Sequence, residues 1–287
     1  MTFTITGINT GVIRHAQQFQ ALALKFKHQH NQASLIFIPA LPLGDLYIYL
    51  EHRLYLQGQR NAKDKATFKT RQHVATQSLH HNIPELNQEQ MLHADIRQRV
   101  TGFAPGEAKQ QGSELIFTLQ GENQLTVFLD DAQIALLISA ISHAINNAGM
   151  HELSLRIASL LDFLPMYDTD MKDNGEMEYD TYQHPAWKIE LFTHYLALVY
   201  HFTDENGQQQ ACGTLIKSRI RGDMKEAQAI AQRLLPFSPR LKKLEGKPCR
   251  ISVATLASGK GLLSQQHGLR ALYQLYQKTQ QMPAKAE

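Results

Sequence analysis

The chain has 287 residues, 43% of them hydrophobic and 19% charged, with a formal net charge of +3. That balance excludes a disordered chain, and so small a surplus excludes a whole-protein field aimed at nucleic acid or membrane. Two cysteines, Cys212 and Cys249, with no C-x-x-C pair, exclude a secreted scaffold stapled by disulfides.

Met1 to Gly7 alternates like a strand. It shows no basic run followed by an apolar one, so no signal peptide is expected and a cytoplasmic location is. The first of three similar stretches follows: strand, turn, strand, then a helix entered directly. Leu22, Leu24 and Phe26 make one strand face, His28 to Gln32 a polar turn, and Leu35 to Ile38 the return strand. Pro39 and Pro42 punctuate the entry to a helix that carries Leu43, Leu46, Tyr47, Leu50 and Leu54 at helical spacing. Only Gly58 interrupts the pattern before Pro84, so the spacing predicts one long, partly exposed helix to about His81, of the order of 55–60 Å. Its apolar content thins past Leu56, as in a helix that projects into solvent or packs on a partner.

The second stretch is the clearest. Leu115, Phe117 and Leu119 alternate, Gly121-Glu122-Asn123 reads as a turn, and Leu125, Val127 and Leu129 alternate again. Asp130 or Asp131 is placed to cap a helix with Ile134, Leu137, Ile138, Ile141, Ala144 and Ile145 on one face, which Gly149 ends. The run Ala132 to Ile145 is too short to cross a bilayer. Leu153, Ile157, Leu160, Leu161 and Leu164 share a face up to Pro165, which predicts a helical hairpin over 131–164. Met166 to His184 is polar, acidic and without period, so it reads as a loop.

In the third stretch Leu196, Leu198, Tyr200 and Phe202 alternate, Asp204 to Gly207 turns, and Ala211 to Ile220 returns. Asp223 is expected to cap a helix with Met224, Ala227, Ile230, Ala231, Leu234 and Leu235 inward. Ser238-Pro239 opens a short turn, Arg250 to Leu256 reads as a strand, and Leu269, Leu272, Tyr273 and Tyr276 as a terminal helix. The fold class expected is α+β, with repeated strand–strand–helix modules and mostly antiparallel sheet. The organisation expected is an α+β region 1–165, an acidic connector 166–186 and an α+β region 187–287.

Few residues carry chemistry. Asp168, Asp170, Asp173, Glu176, Glu178 and Asp180 crowd around Asn174-Gly175 in the manner of a calcium loop. The register fails, because Lys172 takes a position that requires an oxygen ligand, so no metal or other cofactor is expected. A basic run holds Lys217, Arg219, Arg221, Arg240, Lys242, Lys243 and Lys247. A second, on the long helix, holds Lys63, Lys69 and Arg71. Gathered on one face, these ten side chains would suit an anionic partner. Ser258 to Gly261 lacks the flanking residues of a phosphate loop, and His151-Glu152 lacks the second histidine of a zinc helix. Both cysteines fall in expected strands, where they behave as small hydrophobes.

Three stretches carry a resemblance: Gly11 through Lys27, Leu153 through Tyr167 with its Leu160-Leu161-Asp162-Phe163-Leu164 centre, and His184-Pro185-Ala186-Trp187-Lys188 through Phe202. Together they resemble the YjeJ-like family of uncharacterised enterobacterial proteins. The resemblance implies a bacterial cytoplasmic protein and transfers no catalytic residue. The leading expectation is a non-enzymatic binding or assembly protein whose partner is a protein, including a second copy of itself. The alternatives are nucleic-acid binding through residues 60–71 and 217–250, and an enzyme with a site assembled from scattered residues.

Overall fold

Each strand–turn–strand–helix stretch builds on a sheet of its own, and the chain divides into two compact units, Met1–Leu161 and Asp162–Glu287. The computed structural model describes residues 2–28, 32–62, 64–172, 176–256 and 263–280. The class is α+β, and the sheets are mostly antiparallel.

The first unit opens with Thr2–Thr4 (β1), Gly7–His15 (β2), Gln18–Lys27 (β3) and Ala33–Ile38 (β4). β2, β3 and β4 pair in that order, with Leu22 opposite Ile38 and Leu24 opposite Ile36. All four side chains are buried. Gly7 has no room for a side chain, since a Cβ there would lie 1.9 Å from the Asn82 carbonyl oxygen. Ala40–Arg60 (α1) then brings Leu43, Leu46 and Leu50 into the core. Lys65–His81 (α2) and Gln88–Leu92 (α3) follow.

The second sheet of this unit takes Val100–Lys109 (β5), Gly112–Leu119 (β6) and Gln124–Asp130 (β7), and β1 joins it parallel to β7. Asp130 accepts from the Ala132 N–H and Gln133 reaches back to the Asp130 N–H, a reciprocal cap that turns the chain into Ile134–Asn147 (α4). Ile134, Leu137, Ile138, Ile141 and Ile145 are buried as the spacing predicts. Gly149 turns the chain at φ +72° into His151–Leu160 (α5).

The second unit is one five-stranded antiparallel sheet in the order β12-β10-β11-β8-β9. Its strands are Phe163–Met171 (β8), Met177–Thr181 (β9), His194–Thr203 (β10), Gln209–Ser218 (β11) and Arg250–Leu256 (β12). Ala186–Glu190 (α6), Glu226–Leu234 (α7) and Gln265–Gln280 (α8) complete it. The β8-β11-β10-β12 face carrying Leu196, Leu198, Tyr200, Cys212 and Ile216 packs against Ile230, Leu234, Leu241 and Leu244. α8 covers the other face, where a Cβ at Gly268 would lie 2.6 Å from Leu215 Cδ2, so a larger residue requires that side chain to move.

Four expectations are corrected. The long helix is two helices: Asn61 ends α1, and the Asp64 carboxylate accepts from the Thr67 N–H to start α2. Asn and Asp side chains satisfy backbone groups that helix ends leave open, so they punctuate where Gly58 does not. The second helix of the hairpin stops at Leu160, and Leu164 and Pro165 belong to β8. Pro165 has no N–H to give, and the β8–β11 register shifts there, between Leu215 and Ile216. The stretch Met166 to His184 carries most of β8 and all of β9 where a loop is expected. Asp223 does not cap α7; it pairs with Arg221, and Met224 is exposed. Among the described residues, no helix is long and apolar enough to cross a membrane.

Candidate functional site

The densest set of ionisable side chains in the second unit lies where its sheet face changes from apolar to acidic. Cross-strand partners share a face of a sheet. Glu178, Asp170, Cys212 and Tyr200 therefore form one row across β9, β8, β11 and β10. Asp180, Asp168, Thr214 and Leu198 form the next. The segment after α7 lies over this corner. Its 3-10 turns, Leu235–Phe237 and Lys242–Leu244, bury Leu235 and Leu244 and bring Arg240 and Lys243 onto the carboxylates.

Asp170 is the centre. Its Oδ1 accepts from Lys243 Nζ at 2.7 Å and from Cys212 Sγ at 3.1 Å, and its Oδ2 accepts from Arg240 Nη1 at 2.5 Å. Arg240 also donates from Nε to Asp180 Oδ2 at 2.6 Å and lies 3.8 Å from Glu178. Burial alone would raise the Asp170 pKa, but the bonds from Lys243, Cys212 and Arg240 hold it below the usual carboxylate value. Burial, and then the bond to Asp170, pushes the Cys212 thiol up to about 12. Beside this centre, Tyr182 donates to the buried carboxylate of Asp168 at 2.5 Å. Burial first and that bond second raise the Tyr182 pKa.

These pairings define what the corner does chemically. The thiol is held as S–H, and a protonated thiol is a poor nucleophile. The Asp170 carboxylate is neutralised by a guanidinium and an ammonium. The cluster is a clasp that ties the segment after α7 to the acidic edge of the sheet. Among the described residues, no three His, Cys, Asp or Glu side chains are placed to hold a metal ion. Asp173, Asn174 and Gly175, the middle of the stretch compared with a calcium loop, lie outside the described residues.

Most of the described side chains expected to face an anionic partner are engaged within their own unit. Arg240 and Lys243 meet at Asp170. Lys217 is buried, donates to the Ile189 carbonyl at 3.0 Å and lies 4.8 Å from the centre of the Tyr195 ring, and burial lowers its pKa. Arg219 covers the Phe192 ring, Arg221 pairs with Asp223, and Lys247 lies 4.0 Å from Glu205. Lys242 is exposed. In the first unit Lys69 is exposed on α2 and Arg71 reaches Asp130 at 3.4 Å, while Lys63 lies outside the described residues. The Ser258 to Gly261 stretch also lies outside them.

Sequence reasoning missed the clasp because it assigned its acids to a loop. The signal was present: Asp168 and Asp170 alternate along one strand, and Glu178 and Asp180 along the next. Cys212, by contrast, has nothing in its neighbours to announce Asp170, which lies 42 positions away.

Comparison with known proteins places the whole molecule. A family model described as YjeJ-like matches residues 1–282, so the chain belongs to that family. It is 44% identical over 276 residues to "Uncharacterized protein YjeJ" of Escherichia coli (strain K12), covering 96% of each chain. No solved structure matches.

Proposed function

We propose that this member of the YjeJ-like family is a non-enzymatic binding or assembly protein, acting in the cytoplasm through protein–protein contacts. One observation carries the reading: α2 buries only Leu79 of its 17 residues and contains no acidic side chain. At 100° per residue, Lys65, Lys69, His73 and His80 fall within about 80° of arc. All four are exposed, and Val74, about 100° round the helix from the edge of that stripe, is 59% exposed. A helix so little used by its own unit, basic along one stripe and with an exposed valine elsewhere on its surface, suits a partner surface that is acidic and not wholly polar.

The same stripe favours a second reading, a nucleic-acid backbone. Magnitude argues against it as the main one. Binding to duplex DNA weakens with salt by about 0.9 log units per phosphate neutralised, and strong binders make roughly 6–10 such contacts. Two lysines supply far fewer, and the second basic run is largely engaged within its own unit.

A photo-crosslinking amino acid at Val74, in the full chain in living cells, tests both. The expected adducts are protein, including a dimer of this chain, and they disappear when Lys65 and Lys69 are both changed to Glu. Nuclease-sensitive adducts would transfer the assignment to nucleic acid. No adduct of either kind, with sedimentation showing a monomer at every concentration, would overturn the binding function.

A further inference from the structure

Cross-strand partners share a face of a sheet, so Gly11, Ala23 and Phe37 form one row of the β2-β3-β4 sheet, and Ile13 and Ala21 the next. A parallel bridge from Phe37 to Arg99, just ahead of β5, extends the first row by one residue. Leu86 and Met91 pack on this face, and Met91 comes so near Gly11 that a Cβ there would lie 2.7 Å from its Sδ. Next to them lies a cleft of about 260 Å³. Ile13, Ala21 and Phe37 line it from the sheet, and Asp95, Ile96 and Arg99 from the segment around the 3-10 turn Ile96–Gln98. Ala21 and Phe37 are buried, whereas Ile96 is 66% exposed.

We propose that this cleft binds a monocarboxylate with a short apolar body, its two oxygens on the Arg99 guanidinium and its body over Ile13, Ala21 and Phe37. Arg99 is exposed, and among the described residues it makes no ion pair. Asp95, the one acid of the lining, is already held by Arg97, from Nη2 at 2.8 Å and from Nε at 3.0 Å. The charge left over is a single guanidinium, whose planar fork matches a carboxylate in two parallel bonds. One such cation with a carboxylate in the same lining disfavours a dianion such as a phosphate monoester. An apolar body on the floor also covers Ile96, which the chain itself leaves to solvent. The volume lies below the roughly 300 Å³ at which pockets for drug-sized ligands begin, so the body has only a few carbons. The cleft takes no residue from α2, so it stands or falls separately from the function proposed above.

The same carboxylate can be a free acid or the C-terminus of a partner polypeptide. The test is a titration of the full chain carrying isotope-labelled isoleucine methyl groups, with hexanoate, its uncharged analogue hexanamide, and acetyl-glycyl-leucine ending in a free carboxylate. Saturable shifts of the Ile13 and Ile96 methyls with hexanoate are expected. Hexanamide should bind about tenfold more weakly, as loss of a charge-assisted bond implies. Arg99→Gln should weaken hexanoate by a similar factor, and Arg99→Lys, which keeps the charge and loses the fork, by less. Acetyl-glycyl-leucine binding as tightly as hexanoate, or more tightly, assigns the carboxylate to a chain terminus, and weaker binding assigns a free acid. Hexanamide binding as tightly as hexanoate, hexanoate binding unchanged in Arg99→Gln, or no saturation of these methyls by either acid overturns the proposal.

Discussion

The two units use charge in opposite ways. In the first, Arg53 and Asp131 form a single pair with side chains only 4% and 7% exposed. Arg53 Nη2 also donates to the carbonyls of Lys109 and Gly112, each at 2.8 Å, so the guanidinium holds α1 to the β5–β6 hairpin and to the turn after β7. In the second unit the clasp is spread over Asp170, Asp180, Glu178, Arg240 and Lys243 at the rim of the sheet, with Arg240 and Asp170 at 20% and 28% exposure. A wholly buried pair has no water to take over when one partner is lost. A rim cluster has water and redundant partners.

That contrast predicts its largest effect at Arg53. Arg53→Ala should destabilise the first unit by about 3–5 kcal/mol, because Asp131 and two carbonyls lose their donor inside the core. Urea denaturation of the full chain, followed by a probe in each unit, measures it. A loss below about 1 kcal/mol would erase the distinction between the units. Arg53→Met paired with Asp131→Leu should recover much of the loss, since an apolar replacement leaves no unpaired charge.

Legibility followed sequence distance. The strand faces of Leu22, Leu24 and Phe26 and the helix face of Ile134, Ile138 and Ile141 repeat within one turn or two residues, and burial followed the repeat. Arg53 meets Asp131 across 78 positions, and Lys243 meets Asp170 across 73. Neither separation leaves a local pattern. The acidic strands were misread because carboxylates are rare in sheets, and here Arg240 and Lys243 from the segment after α7, with Tyr182 and Lys172, supply their partners. The cleft of Ile13, Phe37 and Arg99 was hidden for a similar reason: each lies on a different segment of the chain, and only their packing makes them a set.

The clasp should yield a smaller effect. Asp170→Asn is expected to cost about 2 kcal/mol, the scale of hydrogen bonds to a charged group. Because the folded state depresses the Asp170 pKa, the contribution is fully present above the unfolded carboxylate value near 3.9 and is lost as pH falls through the folded value. The wild type and the variant should therefore converge in stability toward strong acid. Cys212 reports the same change without unfolding. Its thiol is pushed up to about 12 and the residue is only 1% exposed, so native alkylation is slow. Asp170→Asn should speed it tenfold at most, because burial is the larger cause and remains. Equal stability of variant and wild type at neutral pH would mean that Asp180 and Glu178 hold Arg240 unaided.

The smallest effect belongs to the opposite face of the same sheet, where a histidine and an arginine meet the end of α8. His201 Nε2 lies 2.8 Å from Thr279 Oγ1, its ring stacks on Tyr276, and Arg250 donates to the Thr279 carbonyl. Burial, and then the charge of Arg250, lower the His201 pKa, so the folded state favours the neutral ring. Between the ordinary imidazole value near 6.5 and the lowered one, the unfolded chain binds the extra proton and stability falls as pH falls. The residue is only partly buried, and solvent screening keeps the loss under about 1 kcal/mol. Melting temperatures at pH 7.5 and 5.5 should differ less in His201→Gln than in the wild type. An identical difference would place the acid sensitivity elsewhere. A reduced one would show that the two faces of this sheet answer acid in separate ranges, α8 below the ordinary imidazole value and the clasp only below the ordinary carboxylate value.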